Sequence, residues 1–217
     1  MANAVVNRTA VDAAGSVSSA RVEPRGCVAR RELLAAAVAA GMAVAVGPAA
    51  FAQQDAPGAD ERPRKADLLV FTEGDRAGET IKPEDLPLGG PPVHAWPMDP
   101  ATRVVRNGSR LNELLVVRLD PAEIDEETRP RAADGIVAYS AICSHAGCPV
   151  TEWVKAFDGD KDVFKCACHN SEYDPRQGAQ VVFGPAPRRL AALPLAIAEH
   201  SIAVAAQFVG KVGAQQG

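Results

Sequence analysis

Hydrophobic residues in this chain fall into short runs separated by clusters of glycine, proline and aspartate. Four such runs are Leu68-Leu69-Val70-Phe71, Pro92-Val93-His94-Ala95-Trp96, Leu114-Leu115-Val116-Val117-Arg118-Leu119 and Ile136-Val137-Ala138-Tyr139-Ser140-Ala141-Ile142. Three more follow later: Gln180-Val181-Val182-Phe183, the stretch from Leu190 to Ile197, and Ser201-Ile202-Ala203-Val204. Each is short and bounded by turn-forming residues, the pattern of strands rather than helices. No helical period of any length appears beyond the N-terminal segment, so an all-β fold is expected. The charged stretch from Asp120 to Asp134 reads as a surface loop or a short helix, inserted between two of these strands.

The first fifty residues follow a different rule. Arg30-Arg31-Glu32-Leu33-Leu34 leads into an Ala-rich apolar run from Leu33 to Val46, then Pro48-Ala49-Ala50-Phe51-Ala52. Twin arginines, a short apolar core and a small-x-small site make a Tat-type export signal over residues 1–52, cut after Ala52. The run is shorter than the roughly 20 residues a membrane-spanning helix needs; left uncut, the segment would instead serve as a membrane anchor. Residues 53–66 turn polar and are expected to be a flexible leader, with a folded domain over residues 67–210.

Composition narrows the function classes. The chain has 217 residues, 47% hydrophobic and 23% charged, with a formal net charge of −4. It carries no basic stripe interleaved with aromatics, so nucleic acid is not an expected partner. Of five cysteines, Cys27 lies in the signal, leaving four in the exported chain.

Those four come with two histidines. Cys143-Ser144-His145 and Cys166-Ala167-Cys168-His169 pair a thiolate with an imidazole twice over. Thiolates are soft, anionic ligands suited to iron, and exchanging two of them for neutral imidazoles leaves a 2Fe–2S cluster less negative and easier to reduce. The same four N/S donors would also satisfy tetrahedral zinc. Zinc, however, gives no reason for Cys148 and Cys168 at matched offsets, or for Ser171 and Tyr173 just beyond the second pair.

The segments Cys143-Ser144-His145-Ala146-Gly147-Cys148-Pro149 and Cys166-Ala167-Cys168-His169-Asn170-Ser171-Glu172-Tyr173-Asp174 resemble the two cluster-binding loops of Rieske iron–sulfur proteins. The resemblance implies an antiparallel β-sandwich base with a small cluster-binding subdomain, whose loops lie within residues 143–187. It implies one 2Fe–2S cluster, with one iron on Cys143 and Cys166 and the other on His145 and His169. It further implies a disulfide between Cys148 and Cys168, and hydrogen bonds from Ser171 and Tyr173 that raise the potential. Gly184-Pro185-Ala186-Pro187 is similar to the family's proline loop, which covers the cluster. Arg188 and Arg189 on that loop are candidates for docking an acidic partner, whereas His94 and His200 match no motif. The twenty residues 146–165 between the ligand pairs are a few more than is usual in the family. Trp153, Phe157 and Asp158-Gly159-Asp160-Lys161 point to an extended hairpin there.

A protein of this kind has no substrate site of its own and passes single electrons within a larger assembly. Residues 135–149 and 168–174 look closest to the small subunit of periplasmic molybdenum oxidoreductases of the arsenite oxidase type, with a molybdopterin subunit as donor and a c-type cytochrome as acceptor. The alternative is the Rieske subunit of a quinol-oxidising cytochrome bc complex, partnered by a cytochrome b. A cluster-free or zinc-binding module is the alternative from another class.

Overall fold

The computed structural model describes residues 56–214, so the expected export signal over residues 1–52, with Cys27, and residues 53–55 of the expected leader lie outside the described residues. Within that range the regular structure is ten short strands and a few 3-10 turns. Six strands form one antiparallel sheet: β1 (Leu68–Phe71), β2 (Val93–Met98), β3 (Leu114–Arg118), β4 (Ile136–Ser140), β9 (Leu195–Ala198) and β10 (Ser201–Val204), in the order β4-β3-β2-β1-β10-β9. The other four, β5 (Glu152–Lys155), β6 (Asp162–Cys166), β7 (Ser171–Asp174) and β8 (Gln180–Phe183), form a sequential meander. No helix among the described residues is long and apolar enough to cross a membrane.

The six-stranded base sheet curls until its ends meet. Residues 191–193, just before β9, bond along the free edge of β4: Ser140 N–H donates to Ala191 O at 2.8 Å and Leu193 N–H to Ala138 O at 2.9 Å. The run expected from Leu190 to Ile197 therefore divides, with its first half closing the sheet and only Leu195–Ala198 forming a ladder strand.

Strands β3 and β4 explain why two cores can share one domain. Successive side chains on a strand point to opposite faces. Leu114, Val116, Ile136 and Ala138 enter a core with Leu69, Ile202 and Val204 inside the curled sheet. Leu115, Val117, Val137 and Tyr139 face the other way, into a second core with Phe164, Tyr173, Cys143 and Cys166. Strands buried on both faces read as continuous apolar runs. That is the pattern of Leu114–Val117 and of Ile136–Ser140, whose five residues are all buried.

Two segments depart from expectation. Residues 56–66 are packed, not a free leader. Ala59 and Pro63 are buried, Gly108 N–H donates to Ala59 O at 2.9 Å, and the Asn112 side-chain amide donates to Glu61 O at 2.7 Å. Buried Arg106 fixes this segment, with Nε and Nη2 on the two oxygens of Asp67 at 2.6 and 3.0 Å and Nη1 on Glu61 at 2.9 Å. The stretch from Asp120 to Asp134, expected as a surface loop or a short helix, does form two 3-10 turns, but its Ile124 and Thr128 are buried against the small sheet's side of the molecule.

Candidate metal centre

Two loops and a cover converge at one end of the small sheet. The first loop leaves β4 and turns tightly over 143–148: Cys143 N–H donates to Cys148 O at 2.8 Å and Gly147 N–H to Cys143 O at 3.1 Å. The second is the turn between β6 and β7, where Cys166 stands opposite Ser171 in the ladder and Asn170 takes a left-handed φ of 58°. The third is the Gly184–Pro187 loop after β8, and it approaches very closely. A Cβ on Gly184 would lie 2.6 Å from Ser171 Cα and 2.7 Å from Asn170 O, so at φ +89° only glycine fits.

The sequence-predicted residues meet there. Cys143 and Cys166 are buried thiols, and burial pushes Cys166 above its ordinary range, with the neighbouring Cys143 thiol adding to the rise. The rings of His145 and His169 lie edge to face with centroids 4.6 Å apart. His145 Nδ1 is buried with no hydrogen-bond partner, while His169 is exposed. Cys148 and Cys168 form the expected disulfide, closing a separation of 20 residues. The Sγ atoms of Cys148, Cys166 and Cys168 lie within 4.8 Å of one another, but two of these are bonded together, which leaves Cys143 and Cys166 as the available thiolates.

Two buried thiols and an orphaned imidazole nitrogen beside a second imidazole are hard to account for as packing. They fit a metal group that takes two sulfurs and two nitrogens. Tyr173 is wholly buried with its hydroxyl 3.1 Å from Cys143 Sγ. Burial drives its phenol well above the usual range, and the bond to Cys143 adds to that, so the hydroxyl remains a donor. Ser171 is also fully buried, and its Oγ accepts the Ala186 N–H of the cover loop at 3.2 Å. That leaves the Ser171 hydroxyl proton available to a second acceptor.

The twenty-residue gap is the hairpin β5–β6, with Trp153 paired to Phe164. Its tip folds back over the outer face of the small sheet: Phe157 N–H donates to Glu172 Oε2 at 2.8 Å, and the Phe157 and Phe183 rings stack at 4.4 Å. One important residue has no counterpart in the sequence reading. Arg176 is buried, with Nε on Glu123 at 3.0 Å, Nη1 on Asp162 O at 2.9 Å and its carbonyl accepting Asp125 N–H at 3.0 Å. It ties the 120–134 stretch to both ends of the β6–β7 hairpin. Its only local signal is Asp174-Pro175, an N-cap aspartate followed by proline at the head of a 3-10 turn. Of the unassigned histidines, His94 pairs with Glu113 at 2.7 Å and His200 lies exposed in the β9–β10 turn.

Fold and site together define an all-β electron-transfer domain that holds its metal group between two Cys/His loops. Residues 94–194 match the Rieske 2Fe-2S domain. The chain is similar to the cytochrome bc1 complex Rieske iron-sulfur subunit of Streptomyces lividans, 32% identical over 136 residues that cover 61% of this chain and 75% of that one. It belongs to the Rieske iron–sulfur proteins, and its cofactor is a Rieske 2Fe–2S cluster. A putative respiratory nitrate reductase Rieske subunit of Haloferax mediterranei is 35% identical over 101 residues, 46% of this chain and 43% of that one. The plasma membrane Rieske protein PetC3 of Synechocystis PCC 6803 has 26% identity over 51% of this chain and 84% of that one, with a TM-score of 0.31. Other bc1 Rieske subunits are much longer, and the chain spans 36% of the Streptomyces coelicolor one.

Proposed function

We propose that this chain is the electron-carrying subunit of a quinol-oxidising complex of the cytochrome bc type, exported by the twin-arginine route. In this reading Cys143 and Cys166 hold one iron, His145 and His169 hold the other, and a c-type cytochrome or similar protein accepts the electron. When bound, the cluster supplies one-electron transfer at a potential that Rieske centres place between about −150 and +300 mV. The observation that carries the reading is the buried Tyr173 hydroxyl on Cys143 Sγ. A donor aimed at a ligand sulfur favours the reduced form, as a carrier fed by quinol requires. Ser171 works in the same direction once Ala186 N–H has fixed its oxygen. The cover loop keeps water from this side, the Cys148–Cys168 bond locks the two loops together, and the histidines are left at the exposed end of the site.

The arsenite-oxidase-type assembly expected from residues 135–149 is the second reading. What favours an oxidoreductase of that general kind is the similarity to the Haloferax nitrate reductase Rieske subunit; the bc1 relatives favour the first. Purification of the native protein from its own membranes and periplasm tests both. A co-purifying cytochrome b with quinol–cytochrome c reductase activity supports the bc reading, and a molybdopterin subunit supports the other. A protein containing zinc without iron overturns the ligand assignment in both.

A further inference from the structure

Arg188 and Arg189 adjoin on the cover loop and have opposite surroundings. Arg189 is exposed and takes Glu127 as a partner, Nη1 to Oε1 at 2.7 Å. Arg188 turns inward. Its Nη2 donates to the carbonyls of Lys211 and Gly213 in the C-terminal segment, while Nε and Nη1 are buried without an acceptor among the described residues. Its own carbonyl accepts the hydroxyl of Ser144, the residue between Cys143 and His145. Gly213 lies against Ile142, and Ala214 against Gly147. The side chain thus reaches from Ser144 to a segment seated on both ends of the first cluster loop.

A guanidinium carries a fixed positive charge and five donors. Burying one with N–H groups unpaired is costly unless an anionic group nearby offsets it. Arg189 has Glu127, whereas no carboxylate pairs with Arg188 among the described residues. The group that the first loop is built to hold gains one negative charge on accepting an electron. We infer that Arg188 supplies a half-buried positive charge behind this loop that raises the reduction potential of the site, a role separate from the Tyr173 and Ser171 hydroxyls and from any docking of an acidic partner. This inference rests on the ligand set proposed above. A unit charge about 10 Å away in a partly buried site shifts a one-electron equilibrium by about tenfold, which is about 59 mV.

The experiment is a redox titration of the iron-loaded protein, followed by electron paramagnetic resonance, at low salt and at high salt. The variants are Arg188→Gln, Arg188→Met and Arg188→Lys, with Arg189→Gln as the exposed control. Arg188→Gln and Arg188→Met are expected to lower the midpoint by about 59 mV at both salt concentrations. Arg188→Lys retains most of the parental value, and Arg189→Gln loses any effect at high salt. An unchanged midpoint in the neutral variants overturns the inference, as does a shift that disappears with salt. If the neutral variants fail to assemble the cluster, whether or not Arg188→Lys succeeds, Arg188 is assigned to building the loop and bracing the C-terminal segment, and the inference is overturned. A parent protein with no Rieske signal would instead sink the ligand assignment, before any variant is compared.

Discussion

Replacing Tyr173 with phenylalanine removes one oxygen atom and keeps the ring that fills the core between Phe164 and Cys143. The lost group is a wholly buried hydroxyl 3.1 Å from Cys143 Sγ. Hydrogen bonds to charged acceptors contribute about 1.5–3 kcal/mol, and only the part gained on reduction bears on the potential. Taking about half, the difference is about 0.75–1.5 kcal/mol, and with about 59 mV per tenfold change for one electron the midpoint falls by about 30–65 mV. Protein-film voltammetry measures the shift, with the paramagnetic signal of the reduced protein confirming an intact cluster. A midpoint equal to the parent's, in a variant that keeps that signal, refutes the argument. The 3.1 Å contact would then be packing, and the case for a quinol-level carrier would lose its main support.

Three further outcomes test the frame around the site. Exchanging Cys148 and Cys168 together for serine releases a separation of 20 residues and should lower stability by about 3 kcal/mol in urea unfolding; a loss below about 1 kcal/mol would mean that the loops are held by other contacts. Arg176→Met leaves the buried carboxylate of Asp174 without its cationic partner, holding only the residue-176 N–H and the Gln177 side-chain amide, and frees the 120–134 stretch, at a cost of about 3 kcal/mol in thermal unfolding. The Arg176 guanidinium holds the Glu123 carboxyl below its usual range, so this pair contributes stability above the ordinary glutamate range and loses it as pH falls through the lowered value. Glu123→Gln should therefore flatten part of the acid limb of a stability–pH curve and change little at neutral pH; an unchanged acid limb rejects the assignment.

The parts of this molecule that were legible in the sequence are those whose signal is local. Cys143-x-His145 and Cys166-x-x-His169 place their donors within a few residues of each other, so spacing marks a metal site, and the resemblance of the flanking residues to the Rieske loops narrows it to a cluster. Strands β3 and β4 announced themselves because both faces are buried, which leaves no polar residue to break the apolar run before Arg118 and Ser140. Strands β5 and β6 were legible only as a hairpin, through Trp153, Phe157 and the Asp158–Lys161 turn, and β7 not as a strand at all. Each has an outer face of charged residues, with Glu152, Lys165 and Glu172 in cross-strand register, and only one or two large apolar side chains, so the apolar signal never accumulates. The leader was misread for the same reason. Its polar composition suits a free chain, and what packs it is Arg106, 39 residues from its partner Asp67.

The long-range contacts that local reading misses share a purpose. Arg106 ties residues 58–67 to the ends of strands β1 and β2 in the middle of the base sheet, Arg176 ties the 120–134 stretch to the β6–β7 hairpin, and the Phe157–Phe183 stack pins the extended hairpin over Glu172, between Ser171 and Tyr173. None of these groups touches Cys143, Cys166 or the histidines; each immobilises something that does, or the layer behind it. A site that exchanges one electron works best when its hydrogen-bond donors need not move as the charge changes, and donors stay fixed only if the shell around them is fixed. Tyr173 and Ser171 can act as preset donors because β7 is clamped at one end by Arg176 and at the other by the Gly184 loop. The ligands decide which cofactor this chain carries. The distant ion pairs hold the elements that carry those ligands.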